Sequence, residues 1–396
     1  MIFPAWRNNT LRIYDFLVII FLVIFWYGLA PVAGAFVSRR SWRQFRRRFD
    51  ELRLRPLLNY GVYRGLTGDG GSYRFIGGFE SVTDGHTLWI RSENLTIPVS
   101  LRGAQTYMLP MQEGNGMTGA FDPGEEAPER VRWNRVSTLT EGARVFVGGA
   151  LTLQEDRWTF AATNETPLLV IFYDGPDRSL TVRAIRAGRH RNEYWNLVTP
   201  YALVMGALCL IVMAASFLSR PAFRLTVITA LIAIFTPLFP LIPPGILCTV
   251  MYRRLWWRAR IFRANRDLAK LPLKHLPRGE GICRLPGGEW YGTYFCTALS
   301  EEVRQSIPIL IQDEGKRKKE GWYIFGALPA PSAENTIPTE PADPFATFGI
   351  LPGKPETLAR RYTVKAYTLE IISWLVLLAG IGLNVFFIRM ILVLLG

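Results

Sequence analysis

Four cysteines and three histidines in 396 residues leave little material for metal or redox chemistry. Cys209 and Cys248 lie inside apolar runs, where a small, weakly polar side chain packs. Cys283 and Cys296 have neither a CxxC spacing nor a histidine cluster beside them, so the sequence offers no zinc site and no disulfide framework. His86, His190 and His275 stand apart from one another. Lysine is scarce too: of 46 basic residues only seven are lysines, and an arginine excess of this kind carries no chemistry by itself. No spacing supplies a nucleophile with a base or a pair of carboxylates, and Asp69, Glu80 and Asp174 have no identifiable partner. The glycines Gly65, Gly68, Gly70, Gly71, Gly77 and Gly78 are not followed by Gly-Lys-Ser/Thr, which excludes a phosphate loop. No catalytic residue, metal ligand or cofactor is therefore assigned.

What the chain has in abundance is apolar sequence and positive charge. Hydrophobic residues make up 49%, the mean hydropathy is +0.14 and the net charge is +14. The length allows two or three domains. The basic residues are densest in Ser38–Arg55 and Tyr252–Arg266, each directly beside an apolar run, so the expected partner is anionic lipid of the inner leaflet rather than nucleic acid.

Four runs approach or exceed the length of about 20 residues that crosses a bilayer. They are 13–37, 198–218, 225–252 and 369–395, the second and third joined by the short link 219–224. The third contains Pro237, Pro240, Pro243 and Pro244, which predict a kink or a short re-entrant turn whose freed carbonyls must find partners. Ala33-Gly34-Ala35 has the pattern of a signal-peptidase site, but the apolar run before it is too long for a signal core, and retention as a span is expected. Charge placement puts 38–197 and 252–368 in the cytoplasm and both termini outside an inner membrane, with Arg220 and Arg224 as the discord.

Segment 38–56 carries eight arginines, while Trp42, Phe45, Phe49 and Leu52 share one helical face. This predicts an interfacial helix with Trp42 and Phe45 among acyl chains and Arg43, Arg46 and Arg47 among phosphates; plain continuation of the first span is the rival. The basic juxtamembrane stretch 253–277 offers Trp256, Trp257, Arg258 and Arg260 as further lipid contacts.

Between these spans, 57–190 and 278–367 have the texture of two β-rich domains. Expected strands in the first are Ser72–Phe79, His86–Arg91, Ile97–Arg102, Arg144–Leu153, Arg157–Ala161, Leu168–Tyr173 and Leu180–Ile185, with a long loop over Met111–Glu129. Gly77-Gly78 and Gly148-Gly149 are expected at bulges or tight closures of a small barrel. In the second, Gly281–Leu285, Glu289–Cys296, Ile307–Gln312, Gly321–Leu328, Phe345–Leu351 and Arg361–Tyr367 are expected strands, and Lys316-Arg317-Lys318-Lys319 a solvated turn. Each domain is expected to end in a basic strand entering a membrane helix, a weak sign of duplication.

The run Leu139 to Leu151, with Asp156, Trp158, Phe160 and Pro167-Leu168-Leu169, resembles the second half of the GIDE, or beside-a-membrane, domain. That resemblance implies a compact OB-like module beside transmembrane helices over about residues 60–189. The RING domain of the ubiquitin ligase in that family has no counterpart, since paired cysteines are missing after Arg253.

The expected fold is therefore a four-span α-helical membrane bundle with two β-rich, OB-like or small-barrel cytoplasmic domains. The expected role is a scaffold or regulatory subunit that recruits a protein partner within a membrane complex, with self-association open. The alternative is a transporter or channel component whose proline-rich third span lines a lipid or small-solute path.

Overall fold

Apolar residues alternating across residues 72–161 close into a ring of five strands, while longer apolar runs form helices. The computed structural model describes residues 6–66, 70–109, 129–130, 143–154, 156–163, 166–187, 189, 194–220, 223–311, 321–331 and 336–395. Its helices are α1 (Trp6–Val23), α2 (Ala30–Leu52), α3 (Tyr60–Arg64), α4 (Asp177–Arg186), α5 (Thr199–Phe217), α6 (Arg224–Ile234), α7 (Gly245–Ala269), α8 (Glu301–Ser306) and α9 (Pro355–Leu395). Its strands are β1 (Ser72–Thr83), β2 (Thr87–Ser92), β3 (Leu95–Ser100), β4 (Gln105–Met108), β5 (Glu129–Arg130), β6 (Arg144–Gln154), β7 (Arg157–Ala161), β8 (Leu169–Tyr173), β9 (Ile282–Arg284), β10 (Trp290–Cys296), β11 (Trp322–Leu328) and β12 (Gly349–Leu351). The chain forms two units, one from Met1–Arg43, Arg191–Ala259 and Tyr367–Gly396, the other from Gln44–His190 and Arg260–Ala366.

In the helical unit a π-helical turn, Ile24–Leu29, joins α1 to α2. Helices over Tyr14–Leu52, Thr199–Phe217 and Pro355–Phe387 are long and apolar enough to cross a membrane. The expected third span, 225–252, is not one helix. Its first part, α6, has only 11 residues, and a 3-10 turn over Thr236–Leu241 separates it from α7. The prolines cause the break, because each removes a backbone donor. Ile19, Leu210, Ala214, Val227 and Ala230 bury against one another where α1, α5 and α6 meet.

The second unit is built around the ring β1-β2-β3-β7-β6, closed by antiparallel pairing of β6 with β1. All its steps are antiparallel except β3–β7. Closure turns on Gly77 and Gly78: β1 pairs with β6 through Gly78 and with β2 from Gly78 onward, with a bulge after Phe79. A Cβ at Gly77 would stand 2.4 Å from the Arg91 carbonyl oxygen, so only glycine fits this corner. Val145, Val147, Phe75, Leu88, Ile90, Ile97, Val99 and Phe160 fill the interior. Strands β8, β4 and β5 extend the sheet beyond β6.

Strands β12-β11-β10-β9 make a separate antiparallel sheet. Both sheets belong to one unit, where two domains were expected, and a barrel-like ring beside a four-stranded sheet is not a repeat. Two expected strands are helices. Leu180–Ile185 lies in α4, which follows Pro176 and buries Leu180 and Ala184 four residues apart. Arg361–Tyr367 lies in α9, where Leu358, Ala359, Tyr362 and Ala366 are buried at helical spacing. Their β-branched and tyrosine residues misled; the spacing of buried positions decided. Of the expected strand Ile307–Gln312, the described residues 307–311 give only a bridge from Ile309 to Ile350, Gln312 lying outside them, and Phe345–Leu351 narrows to β12. The loop expected over Met111–Glu129 lies outside the described residues until Glu129, which opens β5, and so does the Lys316–Lys319 turn.

Candidate functional site

The broken helix is the polar centre of the helical unit. Four prolines in eight residues leave carbonyls without helical donors, and α9 supplies the answer through Asn384, which is 2% exposed. Its amide nitrogen donates to the Phe239 carbonyl and, at 3.0 Å, to that of Ile242. Its amide oxygen accepts from the Gly245 nitrogen at 3.0 Å. Thr249 adds a hydroxyl that donates to the Pro240 carbonyl at 2.5 Å. A Cβ on Gly380 would come within 2.6 Å of the Cys248 Cβ, so α9 approaches α7 by means of a glycine, as small residues permit between membrane helices. The kink candidates Pro237, Pro240, Pro243 and Pro244 thus share one junction. Asn384 gave no sequence signal, being a lone amide in an apolar run.

The π-helical turn is served in the same way. Tyr194 donates to the Tyr27 carbonyl at 2.8 Å and Asn196 to that of Pro31 at 2.9 Å. The Tyr27 carbonyl belongs to the π turn, and that of Pro31 lies just beyond it at the start of α2.

The expected lipid contacts separate. Helix α2 runs to Leu52 without a break, so 38–56 is not a distinct interfacial helix. Phe45 and Phe49 are buried in protein rather than acyl chains: Phe45 lies 4.6 Å from Tyr107, and Phe49 lies 5.4 Å from Phe146 and 6.3 Å from Phe345. Strand β6 turns Val145 and Val147 into the ring and Phe146 outward onto this aromatic group, so it is covered on both faces. A sheet face and a lipid surface demand the same helical stripe, which is why periodicity alone did not distinguish them. Trp42 is half-buried, Arg43 and Arg47 are exposed, and Arg46 donates to the Ala187 carbonyl at 2.8 Å. Trp256 is buried, with Tyr252 and Trp374 about its ring and Arg39 over it at 5.9 Å. Trp257 and Arg258 are exposed, whereas Arg260 is buried.

In the β-rich unit two buried arginines hold the chain around Phe345. Arg74 pairs with Asp343 at 2.5 Å, donates to the Arg55 carbonyl and lies 5.0 Å over the Phe345 ring. Arg53, 1% exposed, pairs with Asp50 and donates to the Phe345 carbonyl. Nearby, His275 stacks obliquely on Tyr291 at 5.0 Å. Burial, with Arg53 and Arg74 adding to it against Asp343 and Asp50, pushes His275 down to about 4. In the unfolded chain a histidine takes its proton near pH 6.5. As pH falls from 6.5 to about 4, the unfolded state therefore binds the proton first and stability falls. We expect a loss of about 2–3 kcal/mol across that window. Unfolding midpoints at pH 7 and pH 4.5 measure it, and His275→Phe should flatten the difference.

Burial pushes the Cys283 and Cys296 thiols up, away from the reactive thiolate. Among the described residues no three His, Cys, Asp or Glu side chains are grouped as metal ligands. No protein-family model, curated protein or solved structure matches the chain.

Proposed function

We propose that the chain is an integral membrane scaffold or regulatory subunit. In this reading the apolar helices and the broken α6–α7 segment make four crossings of the inner membrane, with both termini outside. They hold the β-rich unit at the cytoplasmic leaflet, where it engages a protein partner within a membrane complex. The observation that carries it is the internal closure of the broken helix: Asn384 and Thr249 bond the carbonyls of Phe239, Pro240 and Ile242. Polar groups serving a solute would face a path; these face the neighbouring helix, as a rigid kink requires. The ring order β1-β2-β3-β7-β6, with its parallel β3–β7 step, supports an OB-like module. It also agrees with the resemblance to the beside-a-membrane domain.

Two experiments test this. Single cysteines at Arg102, Arg220 and Arg304, in a background lacking the four native cysteines, should label in intact cells only at Arg220. Labelling of intact cells at Arg102 would invert the topology. Purification of the full chain from mild detergent should return a stoichiometric protein partner. Solute flux in vesicles that is lost when Pro237, Pro240, Pro243 and Pro244 become alanine would instead favour the transport alternative.

A further inference from the structure

The end of α2, the helix α4 and the residues closing α7 enclose a cleft of about 280 Å³ within the β-rich unit. Phe49, Ala184, Ile185 and Leu271 give it an apolar floor, and Arg46, Arg47, Lys270 and Lys274 stand around it. The two acids on its walls are already engaged. Asp50 pairs with Arg53 and with Lys274 at 2.7 Å; Asp267 pairs with Arg189 and Arg266. With Glu51 on Arg47, the cleft and its immediate partners hold seven cations against three carboxylates. The field is positive enough to be felt by Arg189 itself. Burial lowers its pKa first, Asp267 opposes, and Arg266, Arg260 and Arg263 lower it further, to about 10.

Excess cations above an apolar floor match an anion that carries an apolar body. At about 30 Å³ per water, the cleft has room for roughly nine water-sized groups, enough for a phosphodiester and a glycerol unit. We propose that this cleft binds a phosphate group, supplied by the headgroup of an anionic lipid, with the cationic side chains on the phosphate and the glycerol carbons on Phe49 and Ile185. This deepens the reading of the chain as a scaffold at the cytoplasmic leaflet and rests on it. Free phosphate offers the same oxygens but leaves the apolar floor uncovered.

The test uses the full chain in neutral detergent and three probes: short-chain phosphatidylglycerol, the matching diacylglycerol without phosphate, and inorganic phosphate. We expect phosphatidylglycerol to bind, inorganic phosphate to displace it only at much higher concentration, and diacylglycerol to fail. Reversing two cations, Arg47→Glu with Lys270→Glu, should weaken binding about tenfold or more. The same charge change elsewhere, Arg278→Glu with Arg304→Glu, should leave it unchanged. Lys270→Gln, a milder change at an exposed position, should weaken binding with the unfolding midpoint unaltered. Inorganic phosphate binding as tightly as the lipid would make free phosphate the ligand and overturn the lipid assignment. No binding, or equal loss in both double variants, would overturn the cleft altogether. Partner capture by Arg47→Glu/Lys270→Glu separates the two ideas: capture retained by a chain that binds no lipid removes this site and leaves the scaffold.

Discussion

Asn384→Leu should destabilise the helical unit by about 2–4 kcal/mol. Leucine keeps the branched skeleton of asparagine but neither of its polar atoms, so the loss reports chiefly on the amide. It deprives the Phe239 and Ile242 carbonyls of their donor and the Gly245 nitrogen of its acceptor. In the hydrocarbon where the proposed crossing places them, no water replaces them. Measured hydrogen bonds between membrane helices average about 0.6 kcal/mol and reach about 1.7, so three together give the range above. Asn384→Asp is a sharper probe. It keeps the acceptor for Gly245 but turns a second oxygen towards two carbonyls, and it should be at least as damaging. Unfolding in detergent, followed by the fluorescence of Trp256 and Trp374 on α7 and α9, reads both. An unchanged midpoint for Asn384→Leu would mean that the break is held by something other than this side chain.

Removing Asp343 should cost the β-rich unit about 3–5 kcal/mol, because it leaves the buried guanidinium of Arg74 without its carboxylate. Asp343 also accepts from the Phe345 nitrogen at 3.0 Å. Asp343→Asn therefore keeps much of the turn while deleting the charge, and should account for most of the loss. The combined change Arg74→Met with Asp343→Leu should be less harmful than Asp343→Leu alone, since no unpaired charge then remains. Hydrogen exchange at the β1 and β6 amides is the fitting readout, for Arg74 lies on β1 opposite Gly148. Additive losses in the double variant would show the pair to be uncoupled.

The parts of this fold legible in the sequence were those with a period. Six of the strand runs in 72–173 correspond to strands, because alternating Val, Ile and Phe between glycine turns has one stable outcome when a face is buried. Gly77 is expected at a bulge or a tight closure, and closure is what excludes a side chain there. The prolines told of a break in the third run. Illegible were the features that depend on a partner far along the chain. Nothing in Phe45 or Phe49 says whether a sheet or a bilayer receives them, since both reward the same stripe. Asn384 gains its meaning only from carbonyls about 140 residues away. The cleft draws on three stretches of chain, so in the sequence Lys270 is only one more charge in the basic stretch 253–277.

The β-rich unit is interrupted in sequence: Arg191–Ala259 lies between its two segments and belongs to the helical unit. Translation therefore delivers Phe49 and Phe146 long before Phe345, the ring that completes their group. Arg74 likewise emerges 269 residues ahead of Asp343. A ribosome that has just finished residue 259 carries a first segment with an uncovered aromatic face and a guanidinium still awaiting its carboxylate. Folding of this unit thus waits on synthesis of its second segment, Arg260–Ala366, and a chain cut short before it leaves that face open to other proteins.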